Sequence, residues 1–245
     1  MTNRLLYTVS SAPRSGQQPA RRFLARLAGA AFAVLAAVAG TVATAPAAHA
    51  QDAKAGESKA AMCLGCHNIP GYQASFPDIY PVPMISGQKA DYLAAALQEY
   101  KKGDRKHPTM RAIATSLTDK DMADLAAFYE ARGKEGEAVV VPAALAVAPP
   151  ANVAALLQKG TCVSCHGANF DTPLPGYPKL AGQHADYLFE AMKAYQVATN
   201  PRVGRQNAIM VGMIKPFTHA ELRQIADYLG SLPGDLRVAP QSRFK

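Results

Sequence analysis

Two short segments of this 245-residue chain place two thiols and an imidazole at a fixed spacing. They are Cys63-Leu64-Gly65-Cys66-His67 and Cys162-Val163-Ser164-Cys165-His166, and together they use all 4 cysteines. Two thiols three positions apart lie on one face of a helical turn, where they can form thioether bonds to the two vinyl groups of one porphyrin. The histidine that follows then offers its imidazole to the iron as the proximal ligand. The motifs therefore predict two covalently bound haem c groups.

A methionine follows each motif at nearly the same distance. Met110 lies 47 residues after Cys63, and Met210 lies 48 residues after Cys162. A methionine thioether at the sixth position closes the iron to substrates and raises the reduction potential. Met213 is a nearby rival, but it aligns with an isoleucine of the first half. The predicted cofactor-binding residues are Cys63, Cys66, His67, Met110, Cys162, Cys165, His166 and Met210, of which His67, Met110, His166 and Met210 are the iron ligands.

The two halves of the chain align beyond these motifs, at an offset that drifts only between 95 and 101 residues. Residues 87–93 match residues 182–188, for example. An internal repeat of this length predicts a duplicated domain. The segment between the copies is rich in proline and alanine, which is typical of a linker. We expect a first domain at residues 51–133, a linker at 134–151 and a second domain at 152–245.

The elements that must position these residues are helical in both copies. One helix leads from about Ala53 into the first motif, and residues 153–162 repeat it. A second helix follows the Gly-Gln pair of each copy and places apolar side chains on one face. A third begins at a capping box, Thr118-x-x-Asp121 or Thr218-x-x-Glu221. No stretch alternates convincingly between apolar and polar residues as a strand does, so the predicted fold is all-α, with each small helical domain surrounding one haem.

The N-terminal 50 residues have the composition of an export signal. They contain five arginines and no acidic residue, and an alanine-rich apolar run at residues 27–44 leads to Ala48-His49-Ala50. Signal peptidase recognises small residues at the first and third of these positions, so we expect cleavage after Ala50 and a periplasmic location. Retention of the segment as a membrane anchor is the alternative, since about 18 apolar residues can just span a bilayer. We expect the protein to be soluble or loosely associated with a membrane.

Removal of that segment also changes the charge balance. The 26 basic residues fall to 21 against 18 acidic ones, so the net charge falls from +8 to +3. A basic domain that binds nucleic acid then loses its main support.

Some basic residues have two interpretations. Arg105 and Arg205 align in the two copies, and they either pair with haem propionates or lie in exposed basic loops. The densest basic cluster lies at residues 101–106. It is either a docking patch for an acidic partner near the first haem or an ordinary solvated loop. His107 has no histidine counterpart in the second copy and is predicted to be a surface side chain.

Further motifs complete the pattern of the second copy. They are Pro178-x-Leu180-Ala181-Gly182-Gln183-x-x-x-Tyr187-Leu188, Gly204-Arg205 ahead of Met210, and Thr218-x-x-Glu221. With the paired C-x-x-C-H motifs, they make nearly all of the mature sequence resemble the dihaem cytochrome c4 family. The resemblance implies two tandem cytochrome c domains related by a pseudo-twofold axis, haem propionates near their interface, and electron delivery towards a terminal oxidase. The first copy departs from the pattern at residues 72–88.

An electron carrier is the favoured function, because two irons closed by methionine accept electrons without substrate chemistry. Its partners would be redox proteins, either a membrane oxidase or a dehydrogenase. One alternative is the cytochrome subunit of a larger dehydrogenase, such as flavocytochrome sulfide dehydrogenase, whose cytochrome subunit is similar to the cytochrome c4 family. Another is a dihaem enzyme of the peroxidase or thiosulfate-oxidising type. That enzyme would need an open or differently ligated iron, and the chain has no spare cysteine.

Overall fold

The computed structural model describes residues 51–134 and 147–240. The predicted export signal with its cleavage site, and most of the predicted linker, lie outside the described residues. Within the two described ranges, no helix combines the length and the apolar character that crossing a membrane requires.

Both halves are built from helices in the same order. Residues 51–134 contain α1 (Ala53–Lys59), α2 (Ala61–His67), β1 (Gln73–Ala74), β2 (Tyr80–Pro81), α3 (Ala90–Lys102), α4 (Pro108–Thr115) and α5 (Asp119–Arg132). Residues 147–240 contain α6 (Ala151–Lys159), α7 (Val163–His166), α8 (Ala185–Gln196), α9 (Ala208–Ile214) and α10 (His219–Ser231). The predicted helical class is confirmed, and a two-residue antiparallel hairpin in the first half is an addition to it.

Capping boxes begin the last helix of each half, as the sequence predicts. In α5 the Thr118 hydroxyl accepts from the Asp121 N–H at 3.1 Å, and the Asp121 carboxylate accepts from the Thr118 N–H at 3.0 Å. In α10, Thr218 and Glu221 make the same two bonds at 3.2 and 2.6 Å. Each box satisfies N–H groups that the first helical turn leaves without a partner. The two helices therefore begin at equivalent points of the repeat.

An apolar core lies in each half, and the last helix contributes much of it. Apolar residues at helical spacing put one face of each helix inside. The buried members of α5 include Leu125, Ala126 and Tyr129, and those of α10 include Leu222, Ile225, Ala226 and Leu229. Helix α1 approaches α5 so closely that a Cβ at Gly56 would stand 2.1 Å from the carbonyl oxygen of Asp124. Only glycine permits this contact.

The predicted first helix of each copy is interrupted. In the first half α1 ends at Lys59 and α2 begins at Ala61. In the second half residues 160–162 separate α6 from α7, and Thr161 has a φ of 45°. A residue with that backbone conformation cannot continue a right-handed helix. The expectation of one continuous helix into each C-x-x-C-H motif is therefore wrong.

The sequence patterns do not predict α4 and α9, which have only 8 and 7 residues. Each begins at a capping side chain. The His107 Nδ1 accepts from the Met110 N–H at 3.3 Å, and the Asn207 Oδ1 accepts from the Met210 N–H at 3.1 Å. The His107 ring also packs edge-on against Phe76 and Tyr100. His107 is thus a half-buried helix cap, and the prediction of a surface side chain is wrong.

The two halves meet at equivalent positions of the repeat. The Lys106 N–H donates to the Gly204 carbonyl at 3.0 Å, and the Gln206 N–H donates to the Asp104 carbonyl at 2.8 Å. These two bonds form an antiparallel bridge that sets Arg105 opposite Arg205. A bridge between equivalent residues is the contact expected where two copies meet at a pseudo-twofold axis.

Candidate functional site

A cavity of about 600 Å³ extends across both halves of the described chain. Its lining includes every residue predicted to bind a cofactor, namely Cys63, Cys66, His67, Met110, Cys162, Cys165, His166 and Met210. Apolar core side chains such as Leu93, Leu125, Leu188 and Ile225 line it as well. The fold therefore gathers both sets of predicted residues around one continuous and largely apolar space.

The two motif histidines have the same orientation. The Nδ1 atom of His67 lies 2.8 Å from the carbonyl oxygen of Pro83, and that of His166 lies 3.0 Å from the carbonyl oxygen of Pro178. A carbonyl can only accept, so each Nδ1 carries the proton and each Nε2 keeps its lone pair for a metal. Both side chains are buried, and burial lowers the pKa of both imidazoles. Each histidine is thereby held neutral and oriented as an iron ligand must be.

The four thiols are free and half-buried. Burial raises the pKa of Cys63 and of Cys162, so these thiols are held protonated. Two free thiols, a neutral histidine and a thioether around an apolar cavity form the donor set that a covalently attached haem requires. The residues present fit that group in both halves.

Three of the methionines that line the cavity differ in their surroundings. Met110 and Met210 are half-buried, and each is the third residue after the side chain that caps its helix. Met213 also lines the cavity but is 41% exposed, and its sulfur accepts from the Thr161 hydroxyl at 3.7 Å. The matching caps make Met210, and not Met213, the structural counterpart of Met110. Ligation by Met110 and Met210 stays a prediction.

Two arginines and four tyrosines lie where the halves meet. The Arg105 guanidinium lies 5.2 and 5.6 Å from the ring centroids of Tyr92 and Tyr100, and its Nε pairs with Glu99. The Arg205 guanidinium lies 5.5 and 5.8 Å from the rings of Tyr187 and Tyr195, and it donates to the Tyr187 hydroxyl at 3.2 Å. In such contacts the negative face of the aromatic ring attracts the cation.

This arrangement excludes the interpretation of Arg105 as a residue of an exposed basic loop. Arg105 is only 5% exposed, so residues 101–106 do not form one exposed docking patch. Lys101 is half-buried and donates to the carbonyl of Leu117. Both arginines line the cavity, and within residues 51–134 and 147–240 only Glu99 forms an ion pair with either of them. The excess positive charge beside the cavity suits the carboxylates of haem propionates.

Comparisons with known proteins identify the family to which both halves belong. The family model for cytochrome c matches residues 53–130 and again residues 150–233. The chain is 28% identical over 195 residues to a cytochrome c4 of Pseudomonas aeruginosa, covering 75% of this chain and 90% of that protein. It is 29% identical over 188 residues to a thiosulfate dehydrogenase electron acceptor of Stutzerimonas stutzeri, covering 72% and 82%. The crystal structure of reduced recombinant cytochrome c4 from Pseudomonas stutzeri superposes with a TM-score of 0.54 at 24% identity, covering 75% of this chain and all of that one.

Proposed function

Because this chain belongs to the cytochrome c family, with one domain of that family in each half, we propose that it carries electrons between redox proteins through two haem groups closed by histidine and methionine. The observation that carries the proposal is the shared cavity, which is lined by both C-x-x-C-H motifs and by both aligned methionines. Its two cytochrome c domains make it a dihaem c-type cytochrome.

Each residue of the site has a distinct task in this proposal. Cys63 and Cys66, with Cys162 and Cys165, hold the two haems covalently. The Nε2 atoms of His67 and His166 bind iron, and the carbonyls of Pro83 and Pro178 keep their Nδ1 protons in place. Met110 and Met210 supply the thioether that closes each iron and raises its potential. When bound, each haem accepts and releases one electron at its iron.

The surroundings of the cavity complete the electron-transfer site. Apolar side chains exclude water from the haem faces, which favours the reduced, less charged state. Arg105 and Arg205 supply positive charge where the halves meet and are placed to pair with propionates. A carrier of this kind needs no catalytic base and no open coordination position. We therefore assign no catalytic residue.

The proposed setting is the periplasm, after cleavage behind Ala50, with electrons passing towards a terminal oxidase. The support for the location is the signal-like composition of residues 1–50. A candidate for the electron donor is a thiosulfate dehydrogenase, because a relative that aligns over 72% of this chain is named as the electron acceptor of that enzyme. In both cases the chain uses the same two haem sites.

Rapid mixing separates these partners. The reduced protein is mixed with a purified terminal oxidase, and the oxidised protein is mixed with thiosulfate and its dehydrogenase. Oxidation by the oxidase at a rate that saturates with its concentration supports the first role. Reduction of both haems only when thiosulfate and its dehydrogenase are present supports the second. The carrier proposal would be contradicted if the protein exchanged electrons with neither enzyme and instead turned over a small substrate by itself.

A further inference from the structure

One peptide group in each half joins the two domains to each other. The peptide between Pro83 and Met84 offers its carbonyl oxygen to the Nδ1 of His67 at 2.8 Å. Its N–H donates to the Oε1 of Gln183, a residue of the other half, at 3.0 Å. A peptide group is planar and rigid, so the bond at one end fixes the position of the atom at the other end. His67 and Gln183 therefore hold the same rigid unit from opposite sides.

The second half repeats this arrangement, with a histidine from the second half and a glutamine from the first. The carbonyl oxygen of Pro178 lies 3.0 Å from the Nδ1 of His166, and the N–H of Lys179 donates to the Oε1 of Gln88 at 2.9 Å. The peptide between Pro178 and Lys179 is thus held by the histidine of its own half and by the glutamine of the other. Residues 51–134 and 147–240 contain two such links, which cross the domain boundary in opposite directions.

Each glutamine makes a second bond that locks it in place. The Nε2 of Gln183 donates to the Met84 carbonyl at 2.9 Å, and the Nε2 of Gln88 donates to the Lys179 carbonyl at 3.0 Å. Both glutamines are only 3% exposed. A side chain of similar volume without the amide therefore leaves no room for water, and buried polar groups left without a partner are unfavourable.

The local backbone explains why each glutamine follows a glycine. Gly87 has a φ of 89° and Gly182 has a φ of 73°, in the left-handed region that side chains with a Cβ rarely adopt. This turn directs the next residue towards the other half. The Gly-Gln pair that recurs in both copies is thus a structural device for contact between domains.

We propose that Gln88 and Gln183 are positioning residues that act in trans, each on the proximal histidine of the other domain's haem. The inference rests on the proposed function, because it takes His67 and His166 as iron ligands. Hydrogen bonds in a chain polarise one another, so the amide oxygen at the peptide N–H makes the proline carbonyl a stronger acceptor. A stronger acceptor at Nδ1 makes the histidine a more basic ligand and favours ferric iron. Gln183 therefore lowers the potential of the first haem, and Gln88 lowers that of the second.

The test is carried out on the holoprotein with the variants Gln183→Met and Gln88→Met, which keep side-chain length and remove the amide. Before either is interpreted, the visible spectrum must show two low-spin haems in the wild type. A wild type without them refutes the proposed function and not the trans effect. Individual potentials are then followed by NMR, from the methyl signals of each haem during a redox titration. Exchange of each histidine Nδ1 proton with solvent is measured in the reduced protein.

We expect Gln183→Met to raise the potential of the first haem and to speed exchange of the His67 Nδ1 proton by about fivefold to tenfold, the factor for one lost neutral hydrogen bond. Gln88→Met should do the same to the second haem and His166. The matched control is Asp91→Ala, since the Asp91 carboxylate accepts from the Gly176 N–H across the same boundary but touches neither peptide. It should move neither potential.

Equal shifts at both haems in every variant, including Asp91→Ala, would mean that the glutamines only hold the interface together, and they would overturn the proposal. A shift confined to the haem of the glutamine's own half would also overturn it. If the methionine variants fail to fold, the more conservative Gln183→Glu is measured, and an unchanged potential of its first haem would overturn the proposal. A buried neutral carboxylic acid accepts more weakly than an amide from the Met84 N–H, so the potential of the first haem should rise by less than in Gln183→Met while that of the second haem stays unchanged.

Discussion

The choice between Met210 and Met213 as the second iron ligand makes a sharp prediction. Helix caps at the same register put Met210 in the place of Met110, since each methionine N–H is bonded to the capping side chain three residues earlier. Met213 corresponds to Ile113, which cannot bind iron. Replacement of Met210 by leucine should therefore open the second haem, and the same replacement at Met213 should leave it closed.

The expected changes in the charge-transfer band and in the reduction potential follow from the positions of the two methionines. Met210→Leu should reduce the charge-transfer band from methionine sulfur to ferric iron to about half, because one of two haems loses its thioether. The potential of the second haem should fall by part of the ~0.8 V range over which axial ligands act. An exchange of leucine for methionine changes packing by less than about 1.5 kcal/mol, so the variant should still fold. Met213→Leu removes a side chain that is 41% exposed, and it should leave both the band and the potential unchanged.

Absorption of the ferric protein and potentiometric titration provide the assay, and Met110→Leu serves as the matched variant of the first haem. A protein that loses half the band with Met213→Leu, and keeps it with Met210→Leu, would show that the two loops differ in register at the iron. The argument from matched helix caps would then be refuted.

The remaining predictions concern the cofactor, the helix caps and acid stability. The intact mass of the exported protein should exceed the polypeptide beginning at Gln51 by two haem groups, and an excess of one or none would contradict attachment at both motifs. Thr218→Ala should lower the free energy of unfolding by about 1 kcal/mol in urea denaturation, since it removes the capping box of α10; an unchanged midpoint would show that the box contributes nothing. Lys120 and Lys59 lower the pKa of the buried Asp124 carboxyl to about 2, compared with ~3.9 in an unfolded chain. The contribution of this carboxylate to the free energy of unfolding is therefore fully present above about pH 4 and is lost as the pH falls towards 2. The melting temperature of Asp124→Asn should therefore depend less on pH in that window than that of the wild type.

The features that the sequence predicts best are those whose signals are local. A C-x-x-C-H motif or a capping box lies within five residues, so Cys63 to His67 and Thr118 to Asp121 could be identified without the fold. The short helices α4 and α9 escape prediction because they are too short for a period to emerge and because their caps differ, histidine in one and asparagine in the other. The two-residue strands at residues 73–74 and 80–81 escape it for the same reason of length.

Contacts between the halves could not be read from the sequence. The burial of Arg105 depends on tyrosine rings and on a bridge to Arg205, a residue far away in the chain. The repeat alignment contains the Gly-Gln pair in both copies, yet the partner of Gln183 lies 99 residues away in sequence. No periodicity or spacing specifies such a partner. Only the packing of two similar domains against each other shows which peptide each glutamine holds.

Carbon monoxide binding to the reduced protein tests the central claim most directly, because this ligand needs an open position on ferrous iron. If each haem is closed by histidine and methionine, the spectrum of the reduced protein at neutral pH should not change appreciably when carbon monoxide is added. Rapid, stoichiometric binding at either haem would contradict a closed electron carrier and would favour a dihaem enzyme instead.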